Sequence, residues 1–281
     1  MSGTLILVGT PIGNLSDLSP RAEEALRTCD FIAAEDTRVT LNLLNRFAIK
    51  KPLISYHEHN RREIGPRIVQ RLQSGETAAL VTDAGMPAIS DPGDELVALC
   101  RQSGIPVTAC PGPTAVTTAL ALSGLPTRRF VFEGFLPTDK RERRERLTAL
   151  AAEPRTIVLY EAPHRLETTV RELLDTFGDR ELSLSRELTK LHEETLLTTL
   201  SEALARFAEH PPRGEYVLVI SGAPAVPEAA ATLEDGVSLA RRYQEENRLS
   251  PSEAARRAAA ECRLKKSDIY RLLMTEKEIA P

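Results

Sequence analysis

Short apolar runs recur along the first 110 residues: TLILV at 4–8, FIAA at 31–34, TAALV at 77–81 and IPVTA at 105–109. Each has the length of a strand and is too short for a buried helix. The stretches between them carry helical periodicity. SPRAEEALRT at 19–28 offers Ser19 as an N-cap and Pro20 at the first helical position. DELVALCRQ at 94–102 and TAVTTALAL at 114–122 return apolar side chains every three or four residues. Strand and helix in alternation predict an α/β domain with a largely parallel sheet over residues 1–122.

The Gly/Pro break SGLPT at 123–127 marks a candidate boundary. Strand-like runs then return at 129–134, 155–161, 181–187, 195–200 and 215–222. Full crossover helices are missing between some of them, which predicts a mixed sheet in a second α/β domain, 123–224. The segment GAPAVPEAAA at 222–231 reads as a Pro/Ala linker, and residues 232–281 read as helical throughout. With 281 residues and 42% hydrophobic content the chain can build two cores and a small third unit.

The formal net charge of -4 excludes a generally cationic nucleic-acid coat but not a local basic patch. Cys29, Cys100, Cys110 and Cys262 are scattered, with no C-x-x-C pair, and read as thiols in a reducing cytosol. The apolar run at 4–8 is too short for a signal peptide, and nothing approaches the roughly 20 apolar residues of a membrane span. The expected location is cytoplasmic.

Three Gly/Pro loops follow first-domain strands: VGTPIGN at 8–14, VTDAGMPAISDPG at 81–93 and ACPGPTA at 109–115. Ligands of open α/β sheets bind beyond the carboxyl ends of the strands. Neither G-x-G-x-x-G nor a P-loop is present, and few cations lie in these loops, which disfavours a polyphosphate. A ligand with an adenosine moiety and an amino-acid end, held by backbone groups and a carboxylate, fits better.

The motifs LVGTPIGNLSDLSPRA, AAEDTRVTLNLL, LVTDAGMPAISDPG, CPGPTAVTTALALSGLP and IVLYEAPHRLETT occur in this order. Together they resemble the small-subunit ribosomal RNA (cytidine-2'-O)-methyltransferases of the tetrapyrrole-methylase, or class III, superfamily. The likeness covers nearly all of residues 4–276. It implies a two-domain fold with S-adenosylmethionine in the cleft between the domains, a homodimer, and methylation of a cytidine ribose in the decoding centre. The substrate would be small-subunit ribosomal RNA, in an assembled subunit. The first loop, Gly9-Thr10-Pro11-Ile12-Gly13, departs from the G-x-G-P-G of porphyrinoid-methylating members, which argues against a tetrapyrrole substrate. A porphyrinoid-type small-molecule methyltransferase of the same fold remains the alternative, and a nucleotide-sensing regulator with a DNA-binding tail is a further rival.

The resemblance implies site residues. Pro11, Asp83, Ala84, Gly85, Ile89 and Ser90 would hold the methionine and ribose parts of the cofactor, with Asp83 accepting from a ribose hydroxyl or the amino group. Pro113, Thr114 and Ala115 would face the adenosine, and Tyr160 would close the pocket with Glu161. Asp91 is either part of this loop's chemistry or the N-cap of the next helix.

Methyl transfer from a sulfonium needs alignment and help for a weakly nucleophilic hydroxyl, not a metal. Glu35, Asp36 and Arg38 offer a base and a cation at a strand end, while Glu161 and His164 are the second candidates and Arg165 could hold a phosphate. His57 and His59 lack a nameable third ligand, so no metal site is expected. DKRERRERL at 139–147 reads as a solvated helix that, with Arg128 and Arg129, could also form an RNA-facing rim. In the tail, Ser250, Pro251 and Glu253 predict a capping box, and Ser267 a second cap. This outlines a helix-turn-helix-like unit whose Arg256, Arg257, Lys265 and Lys266, with Arg263 and Arg271, would contact RNA.

Overall fold

The structure, a computed structural model, describes residues 2–224 and 231–275. The chain divides into two compact units, Met1–Ala223 and Pro224–Pro281. Most of the Pro/Ala linker and the last six residues of the tail lie outside the described residues.

The first unit opens with β1 (Leu5–Val8), α1 (Pro20–Thr28), β2 (Phe31–Ala34), α2 (Thr37–Arg46) and β3 (Leu53–Ser55). It continues through α3 (Arg61–Gln73), β4 (Ala78–Val81), α4 (Asp94–Gln102), β5 (Val107–Cys110) and α5 (Ala115–Leu122). The five strands are all parallel, in the order β3-β2-β4-β1-β5. Phe31–Ala34 and Ala78–Val81 are buried along their whole length, as central strands covered on both faces must be. Strand β3 has no signature in the sequence because it is a three-residue, half-buried edge strand. Helices α1 and α2 pack on one face through Ala22, Leu26 and Leu44, and α3 and α4 on the other through Ile68, Leu72 and Leu96. The chain therefore leaves β1 and β4, which are neighbours, toward opposite faces. That divergence opens the crevice in which α/β sheets hold ligands.

A second sheet follows, built from β6 (Phe130–Phe135), β7 (Thr156–Glu161), β8 (Glu181–Arg186), β9 (Glu194–Thr199) and β10 (Tyr216–Ile220). Helices α6 (Lys140–Ala151), α7 (Pro163–Phe177) and α8 (Leu200–Glu209) connect them. The order is β6-β7-β10-β8-β9, with β6 and β7 parallel and the remaining pairs antiparallel. This is the mixed sheet that the spacing predicts. One face carries α6, α7 and α8 on Leu159, Leu166, Leu173 and Leu218. The other packs Val158, Val217 and Val219 against Val116, Ala119 and Leu120 of α5, which joins the two sheets into one body.

The helix 140–151 is less solvated than its charge pattern predicts. Arg141 pairs with Glu145 on the surface, but Arg143 is buried and donates to Glu172 and to the Thr169 hydroxyl, both at 2.7 Å. Arg128 and Arg129 are exposed.

The second unit contains α9 (Leu233–Asn247), α10 (Pro251–Cys262) and α11 (Lys266–Thr275) around Val237, Ala240, Ala254, Ala258 and Ile269. The Ser250 capping box does not form: its side chain caps nothing, while Glu253 turns to Arg256 at 3.7 Å. Ser267 lies inside α11, and its hydroxyl donates to Asp268. Arg256, Arg257, Arg263, Lys265, Lys266 and Arg271 are all exposed. Among the described residues no helix is long and apolar enough to cross a membrane.

Candidate functional site

The three Gly/Pro loops meet at the carboxyl edge of the first sheet. Thr10 and Gly85 form an antiparallel bridge, N to O at 2.9 and 3.1 Å, and the Thr10 hydroxyl donates to the Thr82 carbonyl at 3.1 Å. Gly9 N donates to Cys110 O at 3.0 Å. At this point the chain tolerates no side chain: a Cβ on Gly9 would lie 2.7 Å from the Gly112 backbone, and one on Gly112 would lie 2.8 Å from Gly9 O. Gly85, at φ +85°, sits between Ile12 and the Pro113 carbonyl. The glycines are there because backbone touches backbone.

Helix α2 starts from this edge. Asp36 is its N-cap, accepting from Arg38 N at 2.8 Å, and its other oxygen pairs with the Arg38 guanidinium at 2.6 Å. Cap and ion pair together pull the Asp36 carboxyl down to about 2. Asp36 N donates to Asp83 Oδ1 at 3.1 Å, and Asp83 N donates to Glu35 Oε2 at 3.3 Å, so the ends of β2 and β4 are hooked to each other.

Glu35, Asp83 and Asp91 make a carboxylate group of a different kind. None has an ion pair among the described residues. Burial is the largest cause that raises all three; repulsion from Asp83 and Asp36 adds to it at Glu35, from Asp36 at Asp83, and from Glu35 and Asp83 at Asp91, which is held up at about 6. Asp91 is not the cap of α4: Gly93, at φ 150°, occupies that position and leaves the Asp91 side chain with the other acids. A hollow of about 570 Å³ opens here, lined by Glu35, His57, Ile89, Ser90 and Asp91. A second, of about 260 Å³, lies between Pro11, Thr82 and Asp83 on one side and α2 on the other.

The sequence-derived cofactor residues thus fall into five places. Ile89 and Ser90 border the larger hollow, and Pro11 and Asp83 the smaller. Gly85 is the bridge partner of Thr10, and Ala84 precedes it. Pro113, Thr114 and Ala115 start α5, with Thr114 as its N-cap. Tyr160, half-buried, stacks edge-on with Phe132 and Phe135 at 5.1 and 5.5 Å. Burial and a nearby Asp91 raise its phenol to about 12, against a lowering contact with the Val116 backbone, which puts Tyr160 over the start of α5.

The second-domain candidates are engaged elsewhere. Glu161 is 2% exposed and accepts from Ala162 N at 2.9 Å and from the Thr169 hydroxyl at 2.6 Å. Arg165 pairs with Glu161 at 3.4 Å and donates to Leu136 O at 2.9 Å, which leaves little of it for a phosphate. His164 is exposed in the first turn of α7. Among the described residues no group of three or more His, Cys, Asp or Glu is placed to hold a metal ion. The sequence reading passed over Asn42, Leu43 and Arg46, which border the smaller hollow; their spacing from Val39 along α2 was the available signal.

A family described as Tetrapyrrole (Corrin/Porphyrin) Methylases matches residues 4–204. A Ribosomal RNA small subunit methyltransferase I from Synechocystis is 50% identical over 272 residues, 96% of this chain and 97% of that protein. A protein of the same name from Thermotoga maritima is 50% identical over 220 residues, which is 78% of this chain but 99% of the Thermotoga protein. The crystal structure of uroporphyrin-III-C-methyltransferase from Thermus thermophilus has the same fold, with a TM-score of 0.55 at 23% identity over 77% of this chain and 94% of that one.

Proposed function

The chain belongs to the tetrapyrrole (corrin/porphyrin) methylase family, and from this premise we propose that it methylates small-subunit ribosomal RNA. S-adenosylmethionine is the methyl donor, and the acceptor is a cytidine 2'-hydroxyl in the decoding centre. The observation that carries this reading is the half-identity, over nearly the full length of both chains, to a ribosomal RNA small subunit methyltransferase I. The chemistry of the loops supports the donor. Glu35 and Asp91, half-buried, and Asp83, exposed, form an anionic group without an ion pair among the described residues, which suits a ligand bearing a sulfonium and an ammonium. The bare Gly9–Gly112 contact and Gly85 let backbone approach such a ligand closely. A porphyrinoid substrate is supported by fold alone.

When bound, S-adenosylmethionine supplies a methyl group already activated on sulfur. The protein must align the ribose hydroxyl with it and take the hydroxyl proton. Asp36, at about 2, is a poor proton acceptor. We assign it to capping α2 and orienting Arg38, whose exposed guanidinium offsets negative charge on the RNA backbone. Glu35, raised by burial and lining the larger hollow, is the better base. Glu161 positions the start of α7, and His164 stays a reserve candidate.

The helical unit is assigned to RNA contact through Arg256, Arg257, Lys265 and Lys266. The Thermotoga protein aligns over 99% of its own length with 78% of this chain, which supports assigning the unit to affinity for RNA and not to methyl transfer itself. A homodimer, an assembled-subunit substrate and a cytoplasmic location complete the reading.

The deciding experiment incubates the protein with S-adenosylmethionine and small subunits from a strain lacking it, then maps the methylated nucleotide. Absence of a 2'-O-methylcytidine sinks the assignment. Removing residues 224–281 is expected to retain methyl transfer, weaken subunit binding and flatten its salt dependence.

A further inference from the structure

We propose that the smaller hollow holds one unstacked nucleobase of the RNA, with Asn42 bonding to its edge; this rests on the RNA reading above. Helix α2 has two working faces. Leu44 is buried in the core against the sheet, and Thr40, also buried, borders the hollow. Val39, Asn42, Leu43 and Arg46, at i, i+3, i+4 and i+7, form a second stripe that lines the hollow. Pro11 and Leu15 face this stripe across it. A single exposed leucine needs no explanation, but Leu15 and Val39, 42% and 41% exposed, flank one cavity.

The hollow suits a base for three reasons. Its volume of about 260 Å³ falls under the ~300–1,000 Å³ of drug-sized sites, so it takes a fragment and not a macrocycle. A base taken out of its stack is gripped between aromatic or apolar side chains and read by hydrogen bonds to its edge, and the walls here are of the apolar kind. Asn42 has no hydrogen bond among the described residues, so both its amide and its carbonyl are uncommitted. Arg46 likewise has no ion pair there, and Arg38 and Arg46 sit one helical turn to either side of Asn42. That spacing offers cations to the phosphates flanking a base held at Asn42. Asp83 and Pro11 belong to the loops assigned to the methyl donor, so a base seated here brings its own or a neighbouring ribose to the reacting edge.

The test compares the parent with Leu43→Trp, which fills the hollow, and with Asn42→Ala and Val39→Ser. Initial rates are measured on small subunits from the strain lacking the protein, and donor affinity by calorimetry. Leu43→Trp is expected to lower kcat/KM at least roughly tenfold, the scale of a lost base contact, with donor Kd within about twofold. Asn42→Ala and Val39→Ser are expected to raise KM for subunits about fivefold, on the same scale. A folded Leu43→Trp with parental rates overturns the proposal, as does a loss confined to donor affinity, which would make the hollow part of the donor site. Should Leu43→Trp not fold, the two variants at exposed positions decide, and unchanged KM in both overturns it. A parent that methylates no subunit overturns the RNA reading itself; a parent that does so with all variants equal to it overturns the base pocket alone.

Discussion

At the carboxyl edge of the first sheet, Glu35 and Asp91 sit half-buried and Asp83 exposed, all without an ion pair among the described residues, whereas at the end of β7 in the second sheet Glu161 is buried and engaged on both oxygens. Arg143 follows the second pattern, with Glu172 and Thr169 as partners. Uncompensated charge beside a cavity costs stability and is kept where a ligand supplies the missing partner. Satisfied buried charge does the opposite: it locks a helix to its strand. The first sheet thus carries the chemistry and the second braces it.

The sharpest break in this contrast is Gly9→Val. Its Cβ would meet the Gly112 backbone at 2.7 Å, so the first and third loops must part. Methyl transfer is expected to fall by about two orders of magnitude, the cost of roughly 1 Å of misplacement, with a stability loss of about 1–3 kcal/mol from overpacking. Single-turnover rates and thermal melts separate the two.

Glu35→Gln comes next. Loss of the proton acceptor is expected to lower kcat at least tenfold, with donor affinity nearly kept, and to remove the acidic limb of the pH–rate profile. A variant with parental kcat moves the role of base to Asp91.

Glu161→Gln tests the bracing side. It weakens the acceptor for Ala162 N, Thr169 and Arg165 inside a buried site. A stability loss of about 1–3 kcal/mol in denaturant titrations is expected, with turnover of the folded protein little changed. A large drop in kcat at unchanged stability would mean that the second sheet also carries chemistry.

The smallest effect concerns Asp91, whose carboxyl is held up at about 6 against a usual 3.8. Between those values the native chain keeps a proton that the unfolded chain has released. Stability from this group is therefore present below about 4 and lost as pH rises through about 6. Asp91→Asn is expected to narrow the melting difference between pH 5 and 7. Binding of the cationic donor runs the other way, strengthening in the parent as Asp91 ionises. A variant with the parental pH dependence would detach Asp91 from the site.

Much of this was legible in the chain. Apolar runs located nine of the ten strands among the described residues, and Ser19, Asp36 and Thr114 cap helices as short polar side chains before periodic segments do. Capping failed where another contact won: Glu253 took Arg256, and Gly93 displaced Asp91. The same residue types support both outcomes, so local pattern could not separate them.

The sequence by itself determined the element order and the three loops at one sheet edge, because period and Gly/Pro punctuation are local properties. It could not reveal which carboxylates have a cationic partner and which do not. Glu35 and Glu161 both end strands, yet one lines a cavity and the other is enclosed by Thr169 and Arg165. Nor could it say that α2 has a second face on a hollow. Both depend on what the packing of distant segments puts around a side chain, since burial and partner supply set the cost of a charge and only tertiary structure provides them.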